Sequence, residues 1–444
     1  MRDEYRPSHI LCRATSAYTC GRTQSVWVVF ASTNSKIADF AAPSQINNSN
    51  RIAVGGELLY PPYTAVGWDQ FADPISDKKI SARDVAKFNH IISYGRPLWH
   101  ALNDICNREE MFEFASQKLC SSDKFIPGDS EQSLAVLSQR FCLDVCFGHP
   151  KATDFLETAV ASHMRVCIMT TEDRMWRFTS YPSEPYLSSV AAHLLHKTPG
   201  ALTTVLACLK GKLDSGMIAV GQSGELVSRL LWLLGKDLFA TQSFDETTTR
   251  NQELLYCRSI PVLPFLEFFF GMKFWPADDE QKTAAREAFK NARINFSHWV
   301  AMSDNISKEG VKWNPREWIL RHWYRTCAIQ CCHGQPRTDK VIPMYFDDFS
   351  GRNDQDRMSS IFISDKAGEN DSPRDVNFID RTHDSINCST SRPYIAITLD
   401  LGVQDESITS TFPTSTSERI NAGVDNRCLR IYARGMSAEA SPSE

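Results

Sequence analysis

Hydrophobic residues in the middle of the chain return every three to four positions. This spacing places apolar side chains on one side of a helix, so it predicts a series of amphipathic helices. The predicted helices span residues 97–120, 131–146, 151–163, 184–196, 199–210, 224–238, 264–271 and 278–292. Two short strand-like runs, 165–169 and 175–179, interrupt the series as a hairpin. Residues 91–312 are therefore predicted to form an α-rich domain.

The pattern changes to strands after about residue 313. Asn314 and Pro315 are typical of the cap and first residue of a helix, which is predicted to run to about residue 325. Runs rich in β-branched and aromatic residues follow at 328–332, 340–346, 359–364, 393–401 and 427–434. Residues 313–436 are predicted to form an α/β domain, and the polar residues 437–444 a disordered tail.

The N-terminal part contains one strand-like run. Residues from Ser25 to Phe30 are almost continuously apolar, which is typical of a buried strand, and polar residues follow as far as Lys36. Ligands bind at the carboxyl ends of such strands, although an ordinary exit from a strand into a loop explains the same pattern. Residues 1–90 are predicted to be an incomplete α/β segment followed by a loop-rich connector.

Composition narrows the class of protein. Hydrophobic residues make up 42% of the 444 positions and charged residues 23%, which is ordinary for a globular protein and excludes a mostly disordered or fibrous one. A net charge of −5 argues against a cationic nucleic-acid coat protein, but it allows a local basic groove. The most apolar stretch, 260–275, is interrupted by Pro261, Pro264, Glu267 and Lys273. No membrane span is therefore predicted.

The cysteines and the N-terminus predict an intracellular protein. Fourteen cysteines occur at irregular spacing, and the first residues contain no apolar signal-peptide core. Reduced thiols in the cytoplasm or nucleus are expected from this combination. One group combines thiols and imidazoles: His322, Cys327, Cys331, Cys332 and His333. It lacks the second paired knuckle of a zinc site, so buried structural thiols are favoured over zinc.

Several common catalytic motifs are absent from the sequence. There is no G-x4-G-K-[S/T] phosphate loop, no G-x-G-x-x-G and no G-x-S-x-G. These absences argue against a self-contained P-loop ATPase, a dinucleotide-dependent dehydrogenase and an ordinary α/β hydrolase.

The arrangement that most favours chemistry lies in residues 314–366. Asp339 opens one predicted strand and Lys366 follows the end of the next. A metal-dependent phosphodiesterase needs carboxylates that hold Mg²⁺ and a lysine that orients water or stabilises charge. Glu317, on the preceding helix, is in phase to lean over the same edge, and a surface ion pair with Arg321 is its alternative.

Arginines and aromatic residues alternate in the same helix. Arg321 and Arg325 flank His322, Trp323 and Tyr324, a combination able to contact a nucleic-acid backbone and stack on bases. The simpler interpretation is that the aromatic side chains are core residues and the arginines lie at a solvated edge.

A set of segments along the chain is distinctive: VWVVFASTNSKIADFAAP, GRPLW, SHMRVCIM, SEPYL, GELVSRLLWLL, PVLPFLEFFFG, INFSHWV, WYRTCAIQCCHGQPRTDKVIPMYF, RPYIAITLDLG and CLRIYARG. In this order the segments resemble those of a large family of mushroom-type (basidiomycete) fungal proteins, which is mostly uncharacterised and is similar to Crinkler-type proteins. Longer members resemble a STAND-like P-loop ATPase joined through a helical region to a restriction-endonuclease-like PD-(D/E)xK domain.

The resemblance implies a role for the N-terminal segment. Ser25 to Lys36 would correspond to a late ATPase strand, with Thr33 and Asn34 facing the nucleotide. Because the chain begins after the expected phosphate loop, a truncated member without autonomous ATP hydrolysis is expected.

The resemblance also implies a degenerate nuclease-like site. Asp339 and Lys366 match the family pattern, but Ser364 stands where the family has an acid or amide that binds metal. Strand alternation puts Ser364 and Lys366 on one face and Asp365 on the other, so Asp365 is not expected to replace the missing ligand. A hydroxyl is a poor Mg²⁺ ligand, and weakened or lost catalysis is expected.

The sequence therefore predicts a mixed α and β fold, with an incomplete α/β N-terminal segment, an α-rich middle and a restriction-endonuclease-like α/β C-terminal domain. The expected function is Mg²⁺-dependent hydrolysis of DNA. Asp339 and Glu317 would bind the metal, Lys366 would assist the water, and Arg321 or Arg325 would contact phosphate. The alternatives are a catalytically inactive protein that binds a protein partner through its helical region, and a poorly folding fragment.

Overall fold

The computed structural model describes residues 14–15, 17–18, 67–74, 82, 84–146, 148–171, 177–221, 224–243, 253–302, 315–332, 338–347, 354–366, 392–402, 407–412 and 427–435. The predicted strand from Ser25 to Phe30, the positions Thr33 and Asn34 and the predicted tail at 437–444 lie outside these residues. The chain divides into two compact units, residues 1–67 with 147–181 and residues 68–146 with 182–444.

The described residues contain eleven α-helices. They are α1 Phe88–Ile91, α2 Leu98–Leu102, α3 Arg108–Cys120, α4 Ser130–Phe141, α5 Pro150–Ser162, α6 Pro185–Lys197, α7 Ala201–Asp214, α8 Glu225–Gln242, α9 Val262–Phe270, α10 Asp279–Phe289 and α11 Pro315–Tyr324. None of the helices in this described part is long and apolar enough to cross a bilayer.

The described strands form a hairpin and one large sheet. The hairpin pairs β1 Val166–Thr170 with β2 Arg177–Ser180. The sheet contains β3 Ile260–Pro261, β4 Ala292–Ile294, β5 His298–Ala301, β6 Cys327–Gln330, β7 Lys340–Phe346, β8 Met358–Lys366, β9 Tyr394–Asp400, β10 Ser407–Thr411 and β11 Cys428–Arg434. The predicted mixed α and β fold class is confirmed.

The large sheet is mixed in strand direction. Its order is β10-β11-β9-β8-β7-β4-β3, and β6 pairs with both β7 and β5. β8, β9 and β11 run parallel to one another, whereas β7 and β10 are antiparallel to their neighbours. Parallel strands end at the same edge of a sheet, so the carboxyl ends of β8, β9 and β11 lie together.

The structure places the boundary between the helical and sheet regions differently from the sequence prediction. The predicted boundary at residues 312 and 313 falls inside the sheet, because β3, β4 and β5 precede it in the chain. The helical residues outside the smaller unit and the whole sheet belong to one compact unit. Residues 91–146 and 182–312 of the predicted α-rich region thus lie in the same compact unit as the sheet, whereas residues 147–181 belong to the other unit.

One face of the sheet is covered by α11. Trp323 is fully buried, stacks on Tyr345 of β7 at a centroid distance of 5.3 Å, and donates its indole N–H to the Ala82 carbonyl at 2.6 Å. Phe362 and Tyr394 continue the same apolar cluster onto β8 and β9. The alternating aromatic residues of α11 are therefore core side chains, as the simpler interpretation of this helix predicted.

A buried ion pair ties the helices to the sheet. Arg140 of α4 pairs with Asp237 of α8, and both side chains are fully buried. The guanidinium also donates to the Ser297 carbonyl, beside β5, at 2.9 and 3.2 Å. His196 of α6 contacts the same Asp237 carboxylate at 3.1 Å. Three helices and the sheet thus meet at one charged contact.

Candidate active site

The register of the parallel strands puts six polar side chains on one face of the sheet. In β8 and β9, Ser364 lies opposite Thr398 and Lys366 lies opposite Asp400. β11 lies on the far side of β9, with its own polar residues opposite Thr398 and Asp400. Opposite residues share a face, as do residues two apart along one strand. The polar face consists of Ser364, Lys366, Thr398, Asp400, Tyr432 and Arg434.

The polar face continues the face that α11 covers. Phe362 and Ala396 belong to the apolar cluster under α11, and Ser364 and Thr398 are the next residues of the same strand faces. The change from apolar to polar coincides with the carboxyl ends of the parallel strands. Ligands bind at this edge in α/β sheets, particularly where polar side chains converge.

Asp339 is fixed beside the carboxyl end of β8. Its backbone N–H donates to the Ile363 carbonyl at 2.9 Å, and its carboxylate accepts the backbone N–H of Asp365 at 2.7 Å. Burial raises the pKa of Asp339, while the nearby ammonium groups of Lys340 and Lys366 act to lower it. The structure therefore brings together Asp339, Ser364 and Lys366, which the sequence placed at this site.

Asp365 lies on the opposite face, as strand alternation predicts. Its carboxylate forms an ion pair with Lys340, and both side chains are fully buried. Arg229 and Glu225 of α8 are close enough to influence the pKa of Lys340. Asp365 is thus engaged by an internal cation and does not take the place of an acid at position 364.

The buried pair should show energetic coupling. In Lys340→Met or Asp365→Leu alone, one charge remains buried without its partner, whereas the double variant removes both charges. We expect the double variant to be more stable than the sum of the two single effects predicts, by about 2 kcal/mol. Urea unfolding of the wild type and the three variants measures this difference. Additive effects would show that the contact contributes no specific interaction.

Glu317 is placed away from Asp339. Its carboxylate forms the i,i+4 ion pair with Arg321, the alternative that the sequence had offered. The adjacent residue Arg316 contacts Asp356 at 3.0 Å, just before the first residue of β8. Lys366 is the last residue of that strand, so Glu317 and Arg321 lie toward the opposite end of β8 from the polar face.

Arg325 is also engaged elsewhere in the fold. Its guanidinium pairs with Asp69, donates to the Ser183 carbonyl at 2.9 Å and lies over the ring of Tyr94. These contacts join segments that are distant in sequence. The structure therefore gives Arg325 a role in packing, and it does not bring this residue to Asp339.

The thiol and imidazole cluster is a set of packed side chains. Cys327 and Cys331 are buried, and the imidazole of His322 donates to the Trp318 carbonyl at 2.8 Å. His333 lies outside the described residues. Within the described ranges, no three His, Cys, Asp or Glu side chains are grouped so that they could hold a metal ion.

Sequence reasoning missed the part of the polar face contributed by β9 and β11. The signal was present as alternating polar positions, Thr398 and Asp400 in one strand and Tyr432 and Arg434 in the other. Alternation identifies the residues that share a face within a strand, but it does not identify the neighbouring strand. Only the observed register places these residues beside Lys366.

Comparison with known proteins gives one match, outside the polar face. A protein-family model described as a domain of unknown function, DUF8736, matches residues 127–269, which is less than half of the chain. The match contains the Arg140 and Asp237 pair but ends before β7 and β8. Neither the curated proteins nor the solved structures include a match.

Proposed function

We propose that the protein acts on DNA and that the junction of β7 and β8 is a metal-dependent phosphodiesterase site. The observation that supports this proposal is the 2.7 Å hydrogen bond from the Asp365 backbone N–H to the Asp339 carboxylate. This contact holds a carboxylate beside Ser364 and Lys366 at the carboxyl end of β8. A carboxylate and a lysine at one strand edge are the groups that the predicted nuclease-like site requires.

Each residue has a distinct role in this proposal. Asp339 would hold Mg²⁺, which when bound would polarise the scissile phosphate. Lys366 would orient the attacking water and offset the negative charge that develops on phosphate. Arg434, on the same face, would contact the DNA backbone, because a guanidinium binds phosphate oxygens in a bidentate manner. Ser364 supplies no charge to a metal, so slow hydrolysis is expected.

A second candidate is a catalytically inactive protein that binds a protein partner. Two observations favour it. Ser364 stands at the position of the expected metal ligand, and the Asp365 carboxylate is already paired with Lys340. The helical region also exposes Val227 and Leu238, with 41% and 44% of their surface accessible. These residues are eleven positions apart and lie on the same side of α8, where they would contact a partner.

The proposal also includes an intracellular location and the resemblance to a fungal protein family. No disulfide joins any two of the eleven cysteines in the described part of the chain, which supports the cytoplasm or nucleus as the place of action. The likeness to Crinkler-similar fungal proteins supports the nuclease-like interpretation of Asp339 and Lys366.

The test is cleavage of supercoiled plasmid and single-stranded DNA by the full chain with Mg²⁺ or Mn²⁺. We expect slow nicking by the wild type, and at least about 100-fold less in Asp339→Ala, because a lost metal contact removes several kcal/mol of transition-state stabilisation. Lys366→Met should show a comparable loss. Asp104→Ala, which removes an exposed acid between α2 and α3, is the matched control and should retain activity.

Two results would contradict hydrolysis at this site. Folded wild type that leaves DNA intact with either metal would favour the interaction protein. Nicking that persists in Asp339→Ala and Lys366→Met would indicate a contaminating nuclease or a different site. A circular dichroism spectrum of each variant establishes that loss of activity does not reflect unfolding.

A further inference from the structure

Asp400 lies where a second carboxylate could serve the proposed site. It is the last residue of β9, and the register places it opposite Lys366 on one side and Arg434 on the other. It therefore shares a face with Ser364, the position at which the sequence lacks an acid. The sequence analysis assigned no role to Asp400.

The hydrogen bonding of Asp400 distinguishes it from an ordinary surface acid. The residue is only 3% exposed, and its Oδ1 atom is buried without a hydrogen-bond partner. Its Oδ2 atom accepts from the Tyr432 hydroxyl at 3.5 Å, which is a long contact. A buried carboxylate oxygen without a donor is costly, so this oxygen is suited to bind a cation.

The spacing across the sheet is compatible with a shared ion. Asp339 and Asp400 flank opposite sides of β8, two strand intervals or about 10 Å apart across the sheet. They are also offset along β8, because Asp339 bonds the Ile363 carbonyl whereas Asp400 lies opposite Lys366. The Asp339 carboxylate spans part of this offset, since it accepts the N–H of Asp365. Mg²⁺ commonly keeps several waters and takes one or two carboxylates together with substrate phosphate, so two carboxylates are sufficient. Ser364 lies on the face of β8 between them, and its small side chain carries no charge.

The surrounding charges fit a phosphate as the third partner. Lys366 and Arg434 lie on either side of Asp400 in the register, and both are cations. An ion held by two carboxylates would face the phosphate of a nucleic acid, whose negative charge the lysine and arginine would balance.

We infer that Asp400 supplies the carboxylate missing at Ser364, so that a divalent cation is held between Asp339 and Asp400 above β8. This inference rests on the proposed function, since it names a second ligand of the same site. The inference adds to the proposed function that the second metal ligand lies on β9, at Asp400, and not at position 364 of β8.

The experiment is a titration of the full chain with Mn²⁺ alone, followed by calorimetry and by the rise in melting temperature, together with the plasmid assay. An ion that binds only the folded state raises the melting temperature. We expect Asp400→Asn, which is nearly isosteric, to weaken Mn²⁺ binding at least tenfold and to reduce nicking by a similar factor. Asp104→Asn should leave both measurements unchanged.

A rescue variant makes the test specific for a ligand. Ser364→Glu places a carboxylate at the position where the resemblance expects one. Combined with Asp400→Asn, this substitution should restore Mn²⁺ binding and nicking. If Asp400 had only a structural role, a new carboxylate at position 364 would not restore either. The melting temperature of each variant without metal identifies any that fail to fold, and the rescued double variant provides a folded comparison.

The outcomes separate this inference from the proposed function. Nicking that depends on Asp339 but is unchanged in Asp400→Asn would overturn the role of Asp400 and leave the phosphodiesterase intact. Binding of Mn²⁺ that depends on Asp400 without any nicking would support the metal site and overturn hydrolysis. Absence of Mn²⁺ binding by the folded wild type would overturn both.

Discussion

Replacing Asp237 with alanine is expected to destabilise the protein by about 3–5 kcal/mol, because it leaves a charged guanidinium buried without its counter-ion. Arg140 and Asp237 are both fully buried, and among the described residues Arg140 would retain only the Ser297 carbonyl as a hydrogen-bond acceptor. Burial alone would raise the pKa of Asp237, but Arg140 and His196 lower it to about 2. The carboxylate is therefore charged at neutral pH, so its removal eliminates the whole charge interaction with Arg140.

Urea unfolding of Asp237→Ala against the wild type measures this effect. His196→Ala is the informative comparison, because its side chain is 25% exposed and contacts the same carboxylate at 3.1 Å. We expect it to cost about 1 kcal/mol, as a partly solvated partner contributes little. The double variant Arg140→Met with Asp237→Leu should be less destabilised than Asp237→Ala. A loss below about 1 kcal/mol in Asp237→Ala would show that Arg140 finds water or another partner.

The position of this pair links the helices to the sheet. Arg140 contacts the backbone beside β5, and the Lys236 ammonium donates to the Tyr256 carbonyl at 2.5 Å, just before β3. Removal of Asp237 therefore disturbs the joint between the helices and the sheet. We expect both to unfold in one transition, which tryptophan fluorescence and far-ultraviolet circular dichroism should report together.

Helical periodicity was detectable in the sequence because each helix buries one side over several turns. A break inside the predicted helix 97–120 was not detectable in this way. Asn107 caps α3 by accepting from the N–H groups of Glu109 and Glu110, and the Glu110 side chain returns to the Asn107 N–H at 2.9 Å. This capping box ends the continuity between α2 and α3 without altering the apolar spacing.

Short strands escaped prediction for a related reason. β3, β4 and β5 contain only two, three and four residues, which is too few for an alternating pattern to be recognised. His298 and Trp299 are buried at one end of β5, so its sequence shows no polar face. These strands are stabilised by pairing with neighbouring strands of the sheet, and the local sequence does not show which strands those neighbours are.

The candidate site could be predicted only where its geometry is local. Asp339 and Lys366 were recognised because each adjoins the end of a strand, and two consecutive strands commonly pair. Glu317 had the correct helical phase, but phase does not fix which end of β8 the helix lies near. Arg325 meets Asp69 across 256 positions, and Asp400 meets Lys366 through parallel pairing across 34. Contacts between residues so far apart along the chain produce no periodic pattern in the sequence from which they could be predicted.

Lowering the pH from 7 to 5 is expected to destabilise the protein by about 4 kcal/mol, through three buried histidines. Burial lowers the pKa of His90 and of His322 to about 4, and burial beside Arg325 and Arg140 lowers that of His298 well below its usual value. These histidines take up protons near pH 6.5 in the unfolded chain. In the folded protein, His90 and His322 do so only near pH 4, and the pKa of His298 is also well below its usual value. Stability is therefore fully present above pH 6.5 and is lost as the pH falls toward 4.

The pH range in which these histidines lose their stabilising effect is distinct from that of Asp237. Asp237, with its pKa lowered to about 2, contributes stability that is lost only as the pH falls below about 3.8. Urea unfolding at half-unit intervals from pH 7 to pH 5 should therefore report the histidines. His90→Gln, His298→Gln and His322→Gln should each reduce the pH dependence by a similar amount, because glutamine does not titrate.

The same experiment locates where acid acts on the fold. The His90 imidazole bonds the Tyr324 carbonyl at 2.9 Å, and the His322 imidazole bonds the Trp318 carbonyl at 2.8 Å, so both hold the helix α11. Protonation should loosen this helix first, because a charged imidazole must reach water. Trp323, fully buried in α11 against Tyr345, would report the change by a red shift in fluorescence. A pH-independent spectrum and a flat stability between pH 7 and pH 5 would contradict neutral, buried histidines at these positions.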